Sequence, residues 1–536
     1  MDELGDETDS LETQLSIEPT NGSLQASGPG AVDFGLVAVG LSKTISLTVS
    51  NRGALLTSGV LEVLASLESP FSFSDSNCSD VIEPGTSCEV IVSFSPLEAG
   101  SFSDEAVIQY WVETVERSAS IQLLARSEVA VLPPPPIPPG DLDITWGSVG
   151  MASFDFGSNT TGRSSAIVVQ TDGKVVLGGR YKSGTSADFA LVRFLSDGLV
   201  DTGFGTLGKV IHSVSAREDT IQSLALQSDG KIVAAGSTSA LGDHDIAVSR
   251  YDDVGNVDTS FGTNGIYTHR FGSFSDIAYS VAIQSDGKIL ISGQGRVGQY
   301  FDFFVLRLNY DGTLDSTFGT AGVVTTDIAG KNDLARAMVL QPDGRIVLAG
   351  YSRAAQYDEF AIVRYESDGS LDSSFGVNGI RMLSPGTGHD RLYGLAIQSD
   401  GKVVAVGSIS AGSDTDHGIV RLDSSGAVDM SFGIQGVVRY VATMTSDILY
   451  GVVIQSDGKI VAVGIQSSPN PDVSLIRLDT DGQMDLSFGS YGNVTTALTT
   501  AADYGWGIAI QSDGKILVAA DDSSSTADFV ALRYEN

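Results

Sequence analysis

The sequence predicts an all-β chain: a small β-sandwich, joined by a polyproline linker to a closed seven-bladed β-propeller. Three observations predict it. A unit of about 57 residues recurs seven times in the C-terminal three-quarters of the chain. Each copy holds four short runs rich in Val, Ile and Ala between tight-turn signals, the pattern of a propeller blade. The piece missing from the end of the last copy stands at the front of the first.

Residues 1–28 are rich in Asp, Glu, Ser and Thr, lack a sustained apolar period, and read as a disordered acidic tail. Residues 29–128 read as the sandwich. Strand-like runs at Thr44–Val49, Glu89–Phe94, Ala106–Trp111 and Ser120–Leu124 are divided by turn signals such as Asn51-Arg52-Gly53 and Pro84-Gly85. Both cysteines, Cys78 and Cys88, fall here and flank the Pro-Gly turn. A disulfide is expected, closing a loop that contributes roughly 3 kcal/mol on the chain-entropy account; two reduced, buried thiols are the alternative. Residues 129–139 carry six prolines in the eight residues Leu132–Pro139 and read as a stiff polyproline II spacer.

The propeller occupies 140–536. Gln-x-Asp-Gly-Lys/Arg begins at Gln170, Gln227, Gln284, Gln341, Gln398, Gln455 and Gln511. A later Arg stands at 193, 250, 307, 364, 421, 477 and 533. Asp-x-x-Phe/Trp-Gly-x-x-Gly begins at Asp143, Asp201, Asp258, Asp315, Asp372, Asp429 and Asp485. In the second copy the four strands, A to D, are expected at Gln222–Gln227, Ile232–Ser237, Ile246–Tyr251 and Ile266–Phe271. The chain stops after strand C of the seventh copy, and residues 140–156 supply its strand D. That removes an edge that would otherwise invite aggregation.

Charge narrows the partners. With 31 basic and 66 acidic side chains the net charge is −35. Nucleic acid and anionic membrane surfaces are excluded, since both need a basic face. No run of 18 apolar residues is present, so no membrane insertion is expected. The acidic start has neither a basic n-region nor an apolar h-region, so an export signal is expected to be absent from this chain. A monomer is expected.

Two resemblances follow from the motifs. Val32-Asp33-Phe34-Gly35, Thr48-Val49-Ser50-Asn51-Arg52-Gly53, Gly85-Thr86-Ser87-Cys88 and Val92-Ser93-Phe94-Ser95-Pro96 resemble the Hydin-type immunoglobulin-like domains of bacterial surface proteins. That resemblance implies an extracytoplasmic accessory module, of the choice-of-anchor kind. The Gln-Ser-Asp-Gly-Lys and Asp-x-Ser-Phe-Gly elements resemble the delta-60 repeat of bacterial β-propellers, which implies an exported or surface protein and brings no catalytic residues.

Recurrence in all seven copies points to folding rather than to one asymmetric site. The strand-C Arg shares a face with apolar residues and needs a carboxylate; the Asp of Asp-x-x-Phe-Gly and the turn Asp of Asp-Gly-Lys both qualify. Two acidic columns are different. Asp188, Asp245, Asp302, Glu359, Asp416, Asp472 and Asp528 open strand C. Asp219, Asp276, Asp333, Asp390, Asp447 and Asp503 lie in the D–A loops. Both loop sets emerge on one face, giving a candidate rim of thirteen carboxylates that caps its own loops, or else binds Ca²⁺ or a basic partner. Asp479–Asp485 has the alternating oxygens of a calcium loop, but a plain turn accounts for it. His389-Asp390 and Asp416-His417 are a candidate acid–base pair. No HExxH, GxSxG or P-loop accompanies them.

The expected function is a non-catalytic, secreted or cell-surface scaffold that presents a propeller face to a protein or glycan. Contacts would come from the B–C loops at 178–187, 292–301, 351–357 and 464–471, with Tyr181, Tyr300, Tyr351 and Tyr357. No cofactor is required, Ca²⁺ excepted. The alternatives are a metal-assisted hydrolase or lyase on the acidic face, and a purely structural spacer.

Overall fold

The computed structural model describes residues 15–19, 31–39, 41–51, 67, 69–78, 83, 85–112, 115–128 and 137–536, the last range without 158–159, 241, 355, 413, 444, 468–469 and 523–528. It divides into two units, 1–136 and 137–536.

In the first unit, Lys43–Asn51, Ser87–Phe94 and Phe71–Ser76 form a sheet with Leu15–Pro19 on its edge. Ala31–Ala38, Gly100–Val112 and Val115–Glu128 form the second sheet. Alternate residues from the two sheets meet in one core that includes Phe34, Leu47, Phe71, Val92, Phe94, Ile121 and Leu123. The Cys78–Cys88 disulfide is formed. One correction concerns the tail. Leu15–Pro19 is a strand, paired antiparallel with Leu47–Asn51. Its five residues are too short for a readable period, and main-chain bonding to an open edge holds them rather than composition. The remainder of the expected tail, and the prolines at 133–136, lie outside the described residues.

The second unit contains seven four-stranded antiparallel sheets. Blade 1 runs Thr160–Val169 (A), Val175–Ser183 (B), Ser186–Phe194 (C) and Lys209–His212 (D). The A–C strands of the next six blades begin at Asp219, Ile277, Asp333, Arg391, Ile448 and Asp503 and end at Tyr251, Leu308, Tyr365, Leu422, Leu478 and Tyr534. Strand D of blade 7 is Met151–Phe154, paired with Phe529–Leu532. Each strand A touches the strand A of the next blade, and that of blade 7 touches that of blade 1. Strands B and C are buried on both faces, which is why they carry Val, Ile and Ala on both. Apolar clusters fill each junction in turn, ending with Trp146, Leu517 and Ala519 of blade 7 against Val175 and Leu177 of blade 1.

Candidate functional site

The repeated motifs hold the blades to one another. In all seven blades the strand-C Arg ion-pairs through Nε with the Asp of Asp-x-x-Phe/Trp-Gly at 2.7–2.9 Å. Its Cζ lies over the Phe of the same motif, 4.4 Å from the Phe204 centroid in blade 1. Its Nη1 then donates to the C–D turn of the next blade: Arg307 to the Ser367 carbonyl at 2.8 Å, Arg364 to that of Ser424 at 2.6 Å. Arg533 of blade 7 reaches the Ser196 carbonyl of blade 1 at 3.3 Å. In blades 2, 4 and 7 the motif Gln does the same at the A–B turn, Gln511 donating to the Gly173 carbonyl at 3.1 Å. Where blade 7 lacks a C–D turn of its own, Asn536 Oδ1 accepts from Arg477 and the Pro139 carbonyl from the Gly489 N–H. Of the two candidate partners, the Asp of Asp-x-x-Phe/Trp-Gly pairs with the Arg in all seven blades, and Arg533 also reaches its turn aspartate, Asp513, at 3.3 Å. The pairing also holds the motif aspartate ionised more firmly. Burial alone would raise the Asp143 carboxyl, but Lys515, Thr145 and Arg533 outweigh it and hold it at about 2.

The two acidic columns meet across the junctions, the strand-C acid of one blade facing the D–A aspartate of the next. Asp219, Asp276, Asp333, Asp390, Asp447 and Asp503 are at most 1% exposed. Each accepts backbone N–H groups of its own loop, as Asp219 does from Val214 and Ser215 at 2.8 and 2.7 Å. These six therefore cap loops and are not displayed to solvent. In the other column Asp416 pairs with Arg439, and Asp245 lies 3.4 Å from Arg270 Nε. Asp188, Glu359 and Asp472 are half-buried, Asp302 is buried, and Asp528 lies outside the described residues.

The acid–base candidate falls, the plain-turn reading of Asp479–Asp485 stands, and the expected B–C loops are corrected. His389 and Asp416 do not come together. His389 Nδ1 accepts the Asp358 N–H at 3.1 Å, and the Asp358 carboxylate is clamped by Arg353 and Arg391. His417 is fully buried with Nε2 on the Ile465 carbonyl. In Asp479–Asp485 several oxygens are already engaged: Asp479 Oδ1 by the Gln483 N–H, the Thr480 and Asp481 carbonyls by blade 5, Asp485 by Arg477 and Lys459. The B–C loops are also shorter than expected, because the ladder continues: in blades 1 and 3 strands B and C extend to nine residues each and meet at two-residue turns. Tyr181 and Tyr351 thus belong to strands, and Tyr351 is 8% exposed; Tyr300 and Tyr357 remain exposed.

The sequence reading missed the axis. In every blade the A–B register slips by one residue at the same place, a β-bulge. The extra residues are Ser165, Gln222, Tyr279, Arg336, Tyr393, Tyr450 and Trp506. A bulge re-aims its side chain, and these seven sit on the innermost strands. From blade 3 to blade 7 they form one continuous stack. Arg336 Cζ lies 4.1 Å from the Tyr279 centroid and 5.9 Å from that of Tyr393. Tyr393 and Tyr450 meet at 5.4 Å, and Tyr450 and Trp506 at 4.6 Å. In blades 1 and 2 the residue is small or polar, which leaves a cavity of about 180 Å³. Trp506, Arg163, Arg180, Gln222 and Asp521 line it. Trp506 Nε1 donates to Asp521 Oδ1 at 2.7 Å. Burial first, and then the charge of Arg163, lower the pKa of Arg180, while Glu218 and Asp521 raise it; Arg163 Nε lies 3.6 Å from Asp521 Oδ2.

One repeated glycine belongs to this device rather than to a turn. A Cβ at Gly236, Gly350, Gly407 or Gly464 would lie 1.9 Å from the carbonyl oxygen of strand A at the bulge. The usable signal was a repeat column that varies between small neighbours, as in Gly505-Trp506-Gly507 and Ala335-Arg336-Ala337.

The family described as a domain of unknown function (DUF5122) beta-propeller matches 170–204, 227–261, 284–318, 341–375, 398–432 and 455–488. Residues 170–488 are DUF5122 β-propeller repeats. Each match runs from the motif Gln to the Asp-x-x-Phe-Gly turn; the seventh copy, split between the two ends of the unit, is not matched. Residues 28–122 match the HYDIN/CFA65/VesB-like, Ig-like domain. No curated protein matches the chain. Among solved structures, a protein of unknown function from Dyadobacter fermentans shares 11% identity over 72% of this chain and 98% of its own, with a TM-score of 0.40. The polysaccharide lyase Uly1 shares 10% over 70% and 90%, with a TM-score of 0.42. The Vibrio cholerae VesB protease shares 20% over 21% of this chain, with a TM-score of 0.18, and the chain spans 32% of that protein. At these values no function transfers from any of the three.

Proposed function

We propose that the chain is a non-catalytic binding scaffold acting outside the cytoplasm, whose propeller axis holds an acidic glycan. The observation that carries this is the asymmetric ring of bulge residues: five consecutive blades supply an aromatic and cationic stack, and two leave room beside it. Aromatic faces suit sugar rings, and Arg163 and Arg180 suit a carboxylate or sulfate. Arg163 shares the cavity with Asp521, 3.6 Å from its Nε, and Arg180 supplies the second positive charge there. The disulfide favours an oxidising compartment. Among the described residues no helix is long and apolar enough to cross a membrane.

An array of uronate-bearing, sulfated and neutral glycans tests the reading, with Trp506→Ala and Arg180→Ala beside the wild type. Binding to acidic glycans is expected, weakened about 30-fold by Trp506→Ala, the effect of losing an aromatic anchor worth about 2 kcal/mol. Binding that ignores both substitutions would place the site elsewhere. Capture of proteins without glycans would replace the ligand class.

A further inference from the structure

A different feature lies between blades 3 and 4, away from the axial stack. Asp302 opens strand C of blade 3, Asp327 follows its strand D (Val323–Thr326), and Asp333 opens strand A of blade 4. One oxygen of each lies within 4.8 Å of the others. Asp333 is fully buried; its Oδ2 accepts the Ile328 N–H at 2.6 Å, while Oδ1 has no hydrogen-bond partner. The Ser352 hydroxyl neighbours this carboxylate and stabilises it electrostatically, without a hydrogen bond of normal geometry. Asp302 is 7% exposed, and among the described residues no donor or cation reaches its carboxylate. Asp327 is exposed and opens the cluster to solvent.

The neighbouring junction shows what is missing. In blade 2 the position equivalent to Asp327, 57 residues earlier, is Arg270, whose Nε lies 3.4 Å from Asp245 of the matching acidic pair. In blade 5, Arg439 neutralises Asp416. Blade 3 replaces the cation with a third anion. Three carboxylates this close, two of them buried, repel one another, and a cation from outside the chain would relieve that repulsion.

We infer that Asp302, Asp327 and Asp333 bind one divalent hard cation, Ca²⁺ by preference, at the junction of blades 3 and 4. All the donors are oxygens, with neither His nor Cys among them, which disfavours zinc. Ca–O bonds of about 2.3–2.6 Å span up to roughly 5 Å between opposite ligands, as the cluster does, and water can complete the shell on the open side; Mg²⁺ demands a tighter octahedron. The ion would tie strand C of one blade to strand A of the next, as Arg270 and Asp245 do internally in blade 2.

The test is calorimetric titration of the whole chain, stripped with EDTA, with CaCl₂ and separately with MgCl₂, beside Asp327→Asn and Asp327→Arg. Asp327 is exposed, so both variants should fold; unchanged melting of the immunoglobulin-like unit and an unchanged far-ultraviolet spectrum confirm it. One stoichiometric Ca²⁺ site is expected above the weak background of an acidic protein. Asp327→Asn should weaken it at least tenfold. Asp327→Arg should abolish it and raise the melting temperature of the metal-free protein, restoring the blade 2 arrangement. A stoichiometric site that survives Asp327→Arg, or the lack of any such site, overturns the inference. Equal affinity for Mg²⁺ overturns the preference for Ca²⁺.

Discussion

The two ends of a blade obey opposite rules. At the end carrying the A–B and C–D turns, the blades spend the same residues on the same bonds: Arg to Asp in all seven, Arg to the next C–D turn in six, and Gln to the next glycine in blades 2, 4 and 7. At the axis, every blade has the same backbone device, a bulge with a space left on strand B, yet fills it with a different side chain: Ser165, Gln222, Tyr279, Arg336, Tyr393, Tyr450 and Trp506. The comparison teaches where function resides in a repeat fold. Identical residues at equivalent positions serve the ring, because each junction has the same geometry to satisfy. A fixed conformation with a free side chain is where one site can be built without unbalancing the rest.

The comparison breaks most severely if the ring does not depend on strand donation. Deleting residues 140–156 removes strand D of blade 7 and leaves Arg533 and Lys515 without Asp143. Loss of the cooperative propeller transition in calorimetry, with aggregation, is expected; a deletion as heat-resistant as the parent would refute the arrangement. Next in size is Asp372→Ala, which strands the buried Arg364 and should destabilise the propeller by about 3–5 kcal/mol in urea unfolding. An effect under about 1 kcal/mol would make the Arg–Asp pairs ornamental at this end.

Acid sharpens the same point. Asp258 and Asp429 titrate at about 2. For Asp429 the Ser431 hydroxyl is the largest cause; for Asp258 burial opposes, and Ser260, Arg250 and Lys231 prevail. Their folded pKa lies below the unfolded one, so their stabilisation is complete above about pH 4 and is lost as pH falls through about 2. The melting temperature of the propeller should therefore hold down to about pH 4 and drop below it. A decline already under way at pH 5 would mean the carboxylates are less well paired than the geometry implies.

The smallest effect belongs to the axis. Gly350→Ala would bring a Cβ within 1.9 Å of the Leu334 carbonyl oxygen, so the bulge must shift. A cost of about 1–3 kcal/mol is expected, together with displacement of Arg336 from Tyr279, visible as a change in near-ultraviolet circular dichroism. Wild-type stability and spectrum would mean that the glycine does not hold the bulge.

Much of the fold was legible because its signals are local. Strand C of blade 2 was expected at Ile246–Tyr251 and runs Asp245–Tyr251; Cys78 and Cys88 flank a turn and are bonded. Leu15–Pro19 was missed because what holds it is an edge elsewhere in the sheet. The candidate site was less legible. Asp219 and Asp302 look alike in sequence, but one accepts N–H bonds from its own loop and the other faces two more carboxylates, and that difference depends on the next blade.

The sequence by itself determined the seven repeats, the four strands of each, the split copy and the need for an Arg counter-ion, since turn chemistry, apolar runs and motif spacing are properties of neighbouring residues. Only the tertiary structure decided which carboxylate neutralises that Arg, which acids are buried, and which side chains share the axis. A one-residue bulge turns a side chain toward partners 57 residues away, and no local pattern encodes where those partners stand in space.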